Sequence, residues 1–177
     1  LSAHVPVAAT GRVSLVGADR HTVVRAFVER ESSALLSYFL RRTASPDDAA
    51  DMLGDTLLVI WRREGSIPSD ETEARMWMFG IARRVLSGER RSQSRRDALS
   101  ERLGARLATA VPSSADEDPD GVRAAIATLS ETDQEVVRLV YWDGFTLAEV
   151  AQIMRMRPAT VRSRMARARE KLRRHLN

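Results

Sequence analysis

From Thr22 onward, apolar residues recur at the three- and four-residue spacing of an amphipathic helix: Val23, Val24, Phe27 and Val28, then Leu35, Leu36, Phe39 and Leu40, ending at Arg41-Arg42. Ser45-Pro46-Asp47-Asp48 opens a second helix. Ser45 is placed to cap it, Pro46 fits a first turn whose N–H has no partner to lose, and the carboxylates sit where the helix dipole favours negative charge. Ala49, Met52, Leu53, Leu57, Ile60 and Trp61 form its apolar stripe, while Asp47, Asp51 and Asp55 recur every four residues as an acidic ridge on another face. Gly65, Pro68 and small polar residues make Glu64 to Glu73 a loop, and Asp70-x-x-Glu73 has the spacing of a capping box for a third helix. That helix buries Ala74, Trp77, Met78, Ile81, Ala82 and Val85; its continuation carries Arg83, Arg84, Arg90, Arg91, Arg95 and Arg96 around Gly88, a basic end expected to be helical but frayed.

A Leu99, Leu103, Leu107 stripe persists to residue 110, and then Val111-Pro112-Ser113-Ser114 and the acidic stretch Asp116 to Asp120 end all periodicity. A linker is expected there, at residues 111–121. Beyond it, Val122 to Leu129 predicts a short helix, and Ser130-x-x-Asp133 caps another holding Val136, Val137, Val140 and Tyr141, closed by Asp143-Gly144. Thr146-x-x-Glu149 is a capping box for a helix with Leu147, Val150, Ala151, Ile153 and Met154. Pro158 starts the last helix, with Val161, Met165, Ala168 and Leu172 facing inward. The prediction is an all-α protein of two small helical domains joined by a flexible linker: a tail at 1–20, an N-terminal domain at 21–110 and a C-terminal helix-turn-helix domain at 122–177.

Composition narrows the function. In 177 residues, aromatics are only 5%, so the cores must be aliphatic, and no run approaches the ~18 apolar residues of a membrane span. The first twenty residues lack a signal pattern, so a cytoplasmic protein without membrane insertion is expected. Cysteine is absent and His4, His21 and His175 lie far apart, which leaves nothing for disulfides or a metal centre. With no nucleophile-base pairing or phosphate-cradling glycine loop either, no cofactor, small-molecule substrate or enzymatic activity is expected. The net charge of +4 understates the basic character, because acidic and basic residues are segregated. From Arg155 to Arg174 there are nine basic residues (Arg155, Arg157, Arg162, Arg164, Arg167, Arg169, Lys171, Arg173, Arg174) and one acid, Glu170. Such a helix, following a short turn, has the form of a DNA-reading helix.

Leu129-Ser130-x-x-x-x-Glu135-Val136-Val137, Gly144-Phe145-Thr146-Leu147-x-Glu149-Val150-Ala151 and Thr160-Val161-Arg162-Ser163-Arg164-x-x-Arg167-Ala168-Arg169 together resemble the C-terminal domain of extracytoplasmic-function (ECF) sigma factors of bacterial RNA polymerase. Asp48-Ala49-Ala50-Asp51-x-x-x-Asp55-Thr56 with Trp61-Arg62, followed by Trp77-x-x-x-Ile81-Ala82-Arg83, is similar to their N-terminal domain.

The resemblance implies core RNA polymerase, promoter DNA and an anti-sigma factor as partners. It implies that Asp47, Asp51 and Asp55 dock on core polymerase, and that the loop from Glu64 and the helix after it hold the melted -10 strand. Arg83, Arg84, Arg90 and Arg91 would then contact phosphate. Trp77 and Phe79 are candidates to stack on melted bases, although Trp77 lies on the buried stripe and is open to a second reading as core. Thr160, Arg162, Ser163, Arg164 and Arg167 lie off the buried stripe and are the candidates for reading the -35 element, while Arg173 and Arg174 stand too far along for bases.

Three positions depart from the family pattern: Arg155 in the turn, where glycine is frequent, Gly88 for Asp, and Arg84 for Asn. A positive φ at Arg155 is disfavoured, so a reshaped turn is expected there. The alternatives are a self-sufficient helix-turn-helix regulator and a sigma mimic that binds protein alone.

Overall fold

The computed structural model describes residues 20–102 and 121–176, and every element among them is helical. Residues 1–19 of the expected tail, most of the linker, Leu103 and Leu107 lie outside the described residues, and Arg20, expected in the tail, is the first residue of a helix. The N-terminal domain contains α1 (Arg20–Leu40), α2 (Pro46–Arg62), a 3-10 turn (Glu64–Ser66) and α3 (Glu71–Arg102), and the C-terminal domain contains α4 (Val122–Ala127), α5 (Glu131–Tyr141), α6 (Leu147–Met154) and α7 (Pro158–Leu176).

The helix starts follow their local chemistry. The Ser45 hydroxyl accepts hydrogen bonds from the Asp47 and Asp48 amides at 3.2 and 3.4 Å, satisfying two of the donors a helix start leaves open. Asp70 accepts from the Glu73 amide at 2.9 Å at the head of α3. α3 then runs on through Gly88 and the arginines to Arg102, a longer regular helix than the serines and glycine suggest.

α1 and α3 pack on α2 around fully buried Leu35, Phe39, Ile60 and Met78. Each such side chain contributes roughly 1.5–3 kcal/mol relative to an exposed one. In the C-terminal domain α7 is clasped by α4, α5 and α6, with Val136, Leu139, Val150, Val161 and Met165 closing a second aliphatic core. Contacts between α3 and α6 bring the two domains against one another.

Candidate nucleic-acid interface

The helix-turn-helix consists of α6, its turn and α7. Thr146 and Glu149 form a reciprocal capping box: the Glu149 amide donates to the Thr146 hydroxyl at 3.3 Å and the Thr146 amide to the Glu149 carboxylate at 2.7 Å. α6 ends at Arg155 in the left-handed region, with φ 54° and ψ 46°. The glycine-type turn is therefore kept rather than reshaped, and a Cβ-bearing residue bears the cost. The left-handed conformation costs about 1–2 kcal/mol for such a residue, part of which glycine returns as unfolded-chain entropy. Arg155→Gly should accordingly raise the thermal midpoint, by the equivalent of about 0.5–1 kcal/mol, whereas Arg155→Ala should not; calorimetry of the two variants checks this.

The turn aims α7 by burying Val161, Met165 and Ala168. Thr160 is half-buried, and Arg162, Ser163 and Arg167 are exposed on the flanks of that stripe. Arg155, Arg157, Arg162 and Arg167 form no ion pair with any described residue. Other basic residues of α7 are engaged within the protein: Arg169 donates to the Tyr141 hydroxyl, Lys171 to the Thr128 carbonyl, and Arg173 and Arg174 to Glu170.

Arg164, which the sequence groups with the base readers, is held by Asp133 of α5 at 2.9 Å, and its Nε is buried without a partner. Here it ties α7 to the start of α5. Burial raises the pKa of Asp133, but the Ser130 hydroxyl at 2.6 Å and the Arg164 guanidinium outweigh that and hold it below the usual carboxylate range. A carboxyl depressed on folding stabilises above its unfolded value, ~3.9, and that contribution is lost as pH falls through the lower folded value. Urea midpoints should therefore drop below about pH 5, and Asp133→Asn should flatten that part of the slope.

In the N-terminal domain, Asp47, Asp51 and Asp55 are exposed along α2 and form no ion pair with any described residue. Leu58, one turn beyond Asp55 and 53% exposed, adds an exposed apolar side chain beside the ridge that the sequence pattern did not single out. On α3, Arg83 is half-buried and Arg84, Arg90 and Arg91 are exposed. Burial, together with neighbouring Arg155, Arg63 and Arg83, lowers the pKa of Arg84, which is the mark of a site short of negative charge. Trp77 is partly buried against the core. Phe79 is fully buried, edge-on to Tyr38 and Phe145 with ring centroids 5.5 and 4.9 Å away, so it presents no stacking face in this arrangement.

A polar cluster between the domains was not anticipated. Arg42, just past α1, has no exposed side-chain surface; its Nε and Nη2 donate to Glu135 of α5 and to Asp143 after α5, each at 2.8 Å. The remaining nitrogen donates to the Tyr38 carbonyl at 2.9 Å, and the Tyr38 hydroxyl donates to Glu135 at 2.9 Å. Burial and the Glu135 carboxylate push the Tyr38 phenol well above its ordinary value, keeping it protonated as that donor. Burial pulls Arg42 down, but Glu135, Tyr38 and Asp143 outweigh it and the guanidinium is held more firmly charged. The available signs were Glu135 on the apolar face of α5 and the Arg41-Arg42 pair after an otherwise apolar stripe. Neither names its partner.

Two helical domains, one with an acidic ridge and one with a helix-turn-helix whose second helix opens with arginines, neither set ion-paired with any described residue, define the class of a DNA-binding protein. The family described as "Sigma-70, region 4" matches residues 120–172. The ECF RNA polymerase sigma factor SigL of Mycobacterium tuberculosis is 30% identical over 163 residues, covering 87% of this chain and 89% of the relative. SigK of Mycolicibacterium vanbaalenii, also an ECF sigma factor, is 25% identical over 93% of both chains.

Among solved structures, the sigma factor RpoE from Bartonella quintana, in complex with the anti-sigma factor NepR, aligns with a TM-score of 0.64 at 23% identity, covering 86% of this chain and 96% of its own. CnrH, in complex with the cytosolic domain of CnrY, aligns with a TM-score of 0.62 at 21% identity over 88% of both chains. This chain belongs to the ECF sigma factors of RNA polymerase. It serves as the subunit that binds core polymerase and directs promoter recognition and transcription initiation.

Proposed function

We propose that the two domains divide that work residue by residue. Residues 21–110 carry polymerase docking, through Asp47, Asp51 and Asp55 with Leu58 beside them, and -10 recognition, through Trp77, Arg83, Arg84, Arg90 and Arg91. Residues 122–177 carry -35 recognition, with Arg162, Ser163 and Arg167 toward the groove, Thr160 at its edge and Arg164 orienting the helix through Asp133.

The observation that carries this assignment is the separation of unpaired charge: exposed carboxylates along α2 without a cationic partner among the described residues, and exposed arginines at the start of α7 without an acidic one. Unpaired charge on a rigid helix face suits a partner of opposite sign. A self-sufficient regulator would use the arginines and leave the α2 ridge without a role. In this reading the chain acts as a binding subunit rather than an enzyme, in keeping with the sigma factors it is similar to.

No helix among the described residues is long and apolar enough to cross a membrane, which fits work beside the polymerase in the cytoplasm. Two similar proteins are known in complex with CnrY or an anti-sigma factor, and the same charged surfaces offer this chain a site for an anti-sigma partner. Reconstituted transcription on random promoter fragments tests the assignment. Start sites that appear only when the protein joins core polymerase are expected, whereas polymerase-independent binding to symmetric duplex sites would favour the regulator.

A further inference from the structure

Two of the three positions that depart from the family pattern meet in the folded chain. Arg84 on α3 and Arg155 at the end of α6 belong to different domains, yet α3 packs on α6 and the charge of Arg155 acts on Arg84. Arg63, which closes α2, and Arg83 act on it as well, so four guanidinium groups from three elements share one region. Arg63, Arg84 and Arg155 are exposed and Arg83 is half-buried, and none of the four forms an ion pair with any described residue. Elsewhere along the same domain boundary the arginines are matched: Arg41 and Arg42 both meet Asp143.

The gathering is unfavourable in two ways. Burial and the three neighbouring positive charges lower the pKa of Arg84. Arg155 in addition holds a left-handed backbone, with φ 54° and ψ 46°, that glycine adopts at lower cost. No carboxylate among the described residues offsets either cost with an ion pair. A strained, charged residue set among charges of its own sign points to a ligand of opposite sign.

The donors define the chemistry of that ligand. A guanidinium is a planar fork that pairs with two phosphate oxygens at once and stays charged. Four such forks, spread over the end of α2, the middle of α3 and the end of α6, exceed what a single phosphate neutralises. Two or three linked phosphates supply both the charge and the length to meet forks on separate elements. We propose that the seam between α3 and α6 binds a linked phosphate, either a free oligophosphate or the phosphate tail of a nucleoside triphosphate, through Arg63, Arg83, Arg84 and Arg155. The site goes beyond the division of promoter contacts above and is independent of which element each domain reads. An anion that binds only the folded chain raises its stability.

Isothermal titration of the full chain with sodium tripolyphosphate, at an ionic strength held constant with sodium chloride, tests the site. Saturable binding and a higher thermal midpoint are expected, with orthophosphate weaker by about tenfold or more. Arg155→Gly in one domain and, separately, Arg84→Asn in the other should each weaken tripolyphosphate binding by about tenfold or more while the helical circular dichroism is unchanged. Arg155→Lys, which keeps the charge, should retain most of the affinity. Arg173→Gln, at an exposed arginine paired with Glu170, should bind as the natural chain does. Adenosine triphosphate binding more tightly than tripolyphosphate would identify a nucleotide as the source, and equal binding the linked phosphates alone.

No saturable binding, orthophosphate bound as tightly as tripolyphosphate, or affinity that either Arg155→Gly or Arg84→Asn leaves intact would overturn the site. Equal loss in Arg173→Gln would reduce it to the general attraction of a basic chain for anions. A single-stranded oligodeoxynucleotide that bound through these residues where tripolyphosphate did not would also overturn it. The titrations contain neither promoter nor polymerase, so an error in the -10 and -35 assignments would appear in start-site mapping and leave them untouched.

Discussion

Asp51→Arg combined with Asp55→Arg should abolish promoter-specific transcription, with affinity for core polymerase falling by about 100-fold or more. The two carboxylates are exposed, lie one turn apart on α2 and form no ion pair with any described residue. The reversal therefore disturbs no internal contact, and the folded stability should change little. What changes is the encounter: two attractions become two repulsions against a basic surface, and like-charge juxtaposition at an interface costs several kcal/mol, on the order of 100-fold or more in affinity. Binding of the C-terminal domain to a -35 duplex should survive, because α7 is untouched. Competition binding to core polymerase, run beside a duplex-binding titration, separates the two effects. A variant that still bound polymerase normally would remove α2 from the docking surface.

The second large effect is expected at the start of α7. Arg162→Ala with Arg167→Ala should weaken -35 duplex binding by about 100-fold and flatten its dependence on salt. Removing an arginine bidentate to a guanine costs about 1–3 kcal/mol and relaxes specificity at that position. Removing one on phosphate weakens all sequences alike and reduces the slope of log affinity against log salt by about one. Comparing matched and mismatched duplexes at several salt concentrations shows which arginine does which. Arg164→Ala should behave differently from both. Its guanidinium is held by Asp133, so the loss should appear first as lower thermal stability and as sensitivity to Asp133→Asn, the two substitutions being far from additive.

The helices themselves were readable because their signals are local. Ser45, Ser130 and Thr146 cap as their spacing indicates, and the stripes of α2 and α7 bury the residues that fall on one face. The acidic ridge was equally legible, since Asp47, Asp51 and Asp55 need only a helix to align them. Two local expectations met limits. Arg155 was expected to reshape the turn, yet adopts φ 54°, with its amide donating to the Gln152 carbonyl at 3.1 Å and the Met156 amide to the Ala151 carbonyl at 2.9 Å, so the carbonyls at the end of α6 are satisfied in the left-handed form. Asp143-Gly144 was read as a helix stop, which it is, with Gly144 at φ 75°; the carboxylate of the same dipeptide also reaches across to Arg41 and Arg42.

That second role marks the division. The sequence by itself determined the helices, their faces, the helix-turn-helix and the family, because capping, periodicity and charge segregation act over a few residues. Only the tertiary structure decided what the charges meet. Arg42 and Asp143 are separated by 101 positions, and no spacing rule joins residues that far apart. The same holds for Phe79, whose ring packs edge-on to Tyr38 and Phe145 from elsewhere in the chain, and for Arg164, whose sequence pattern gives no sign that Asp133 stands 2.9 Å away. Periodicity tells which side of a helix faces inward; which partner waits there depends on how separate helices pack.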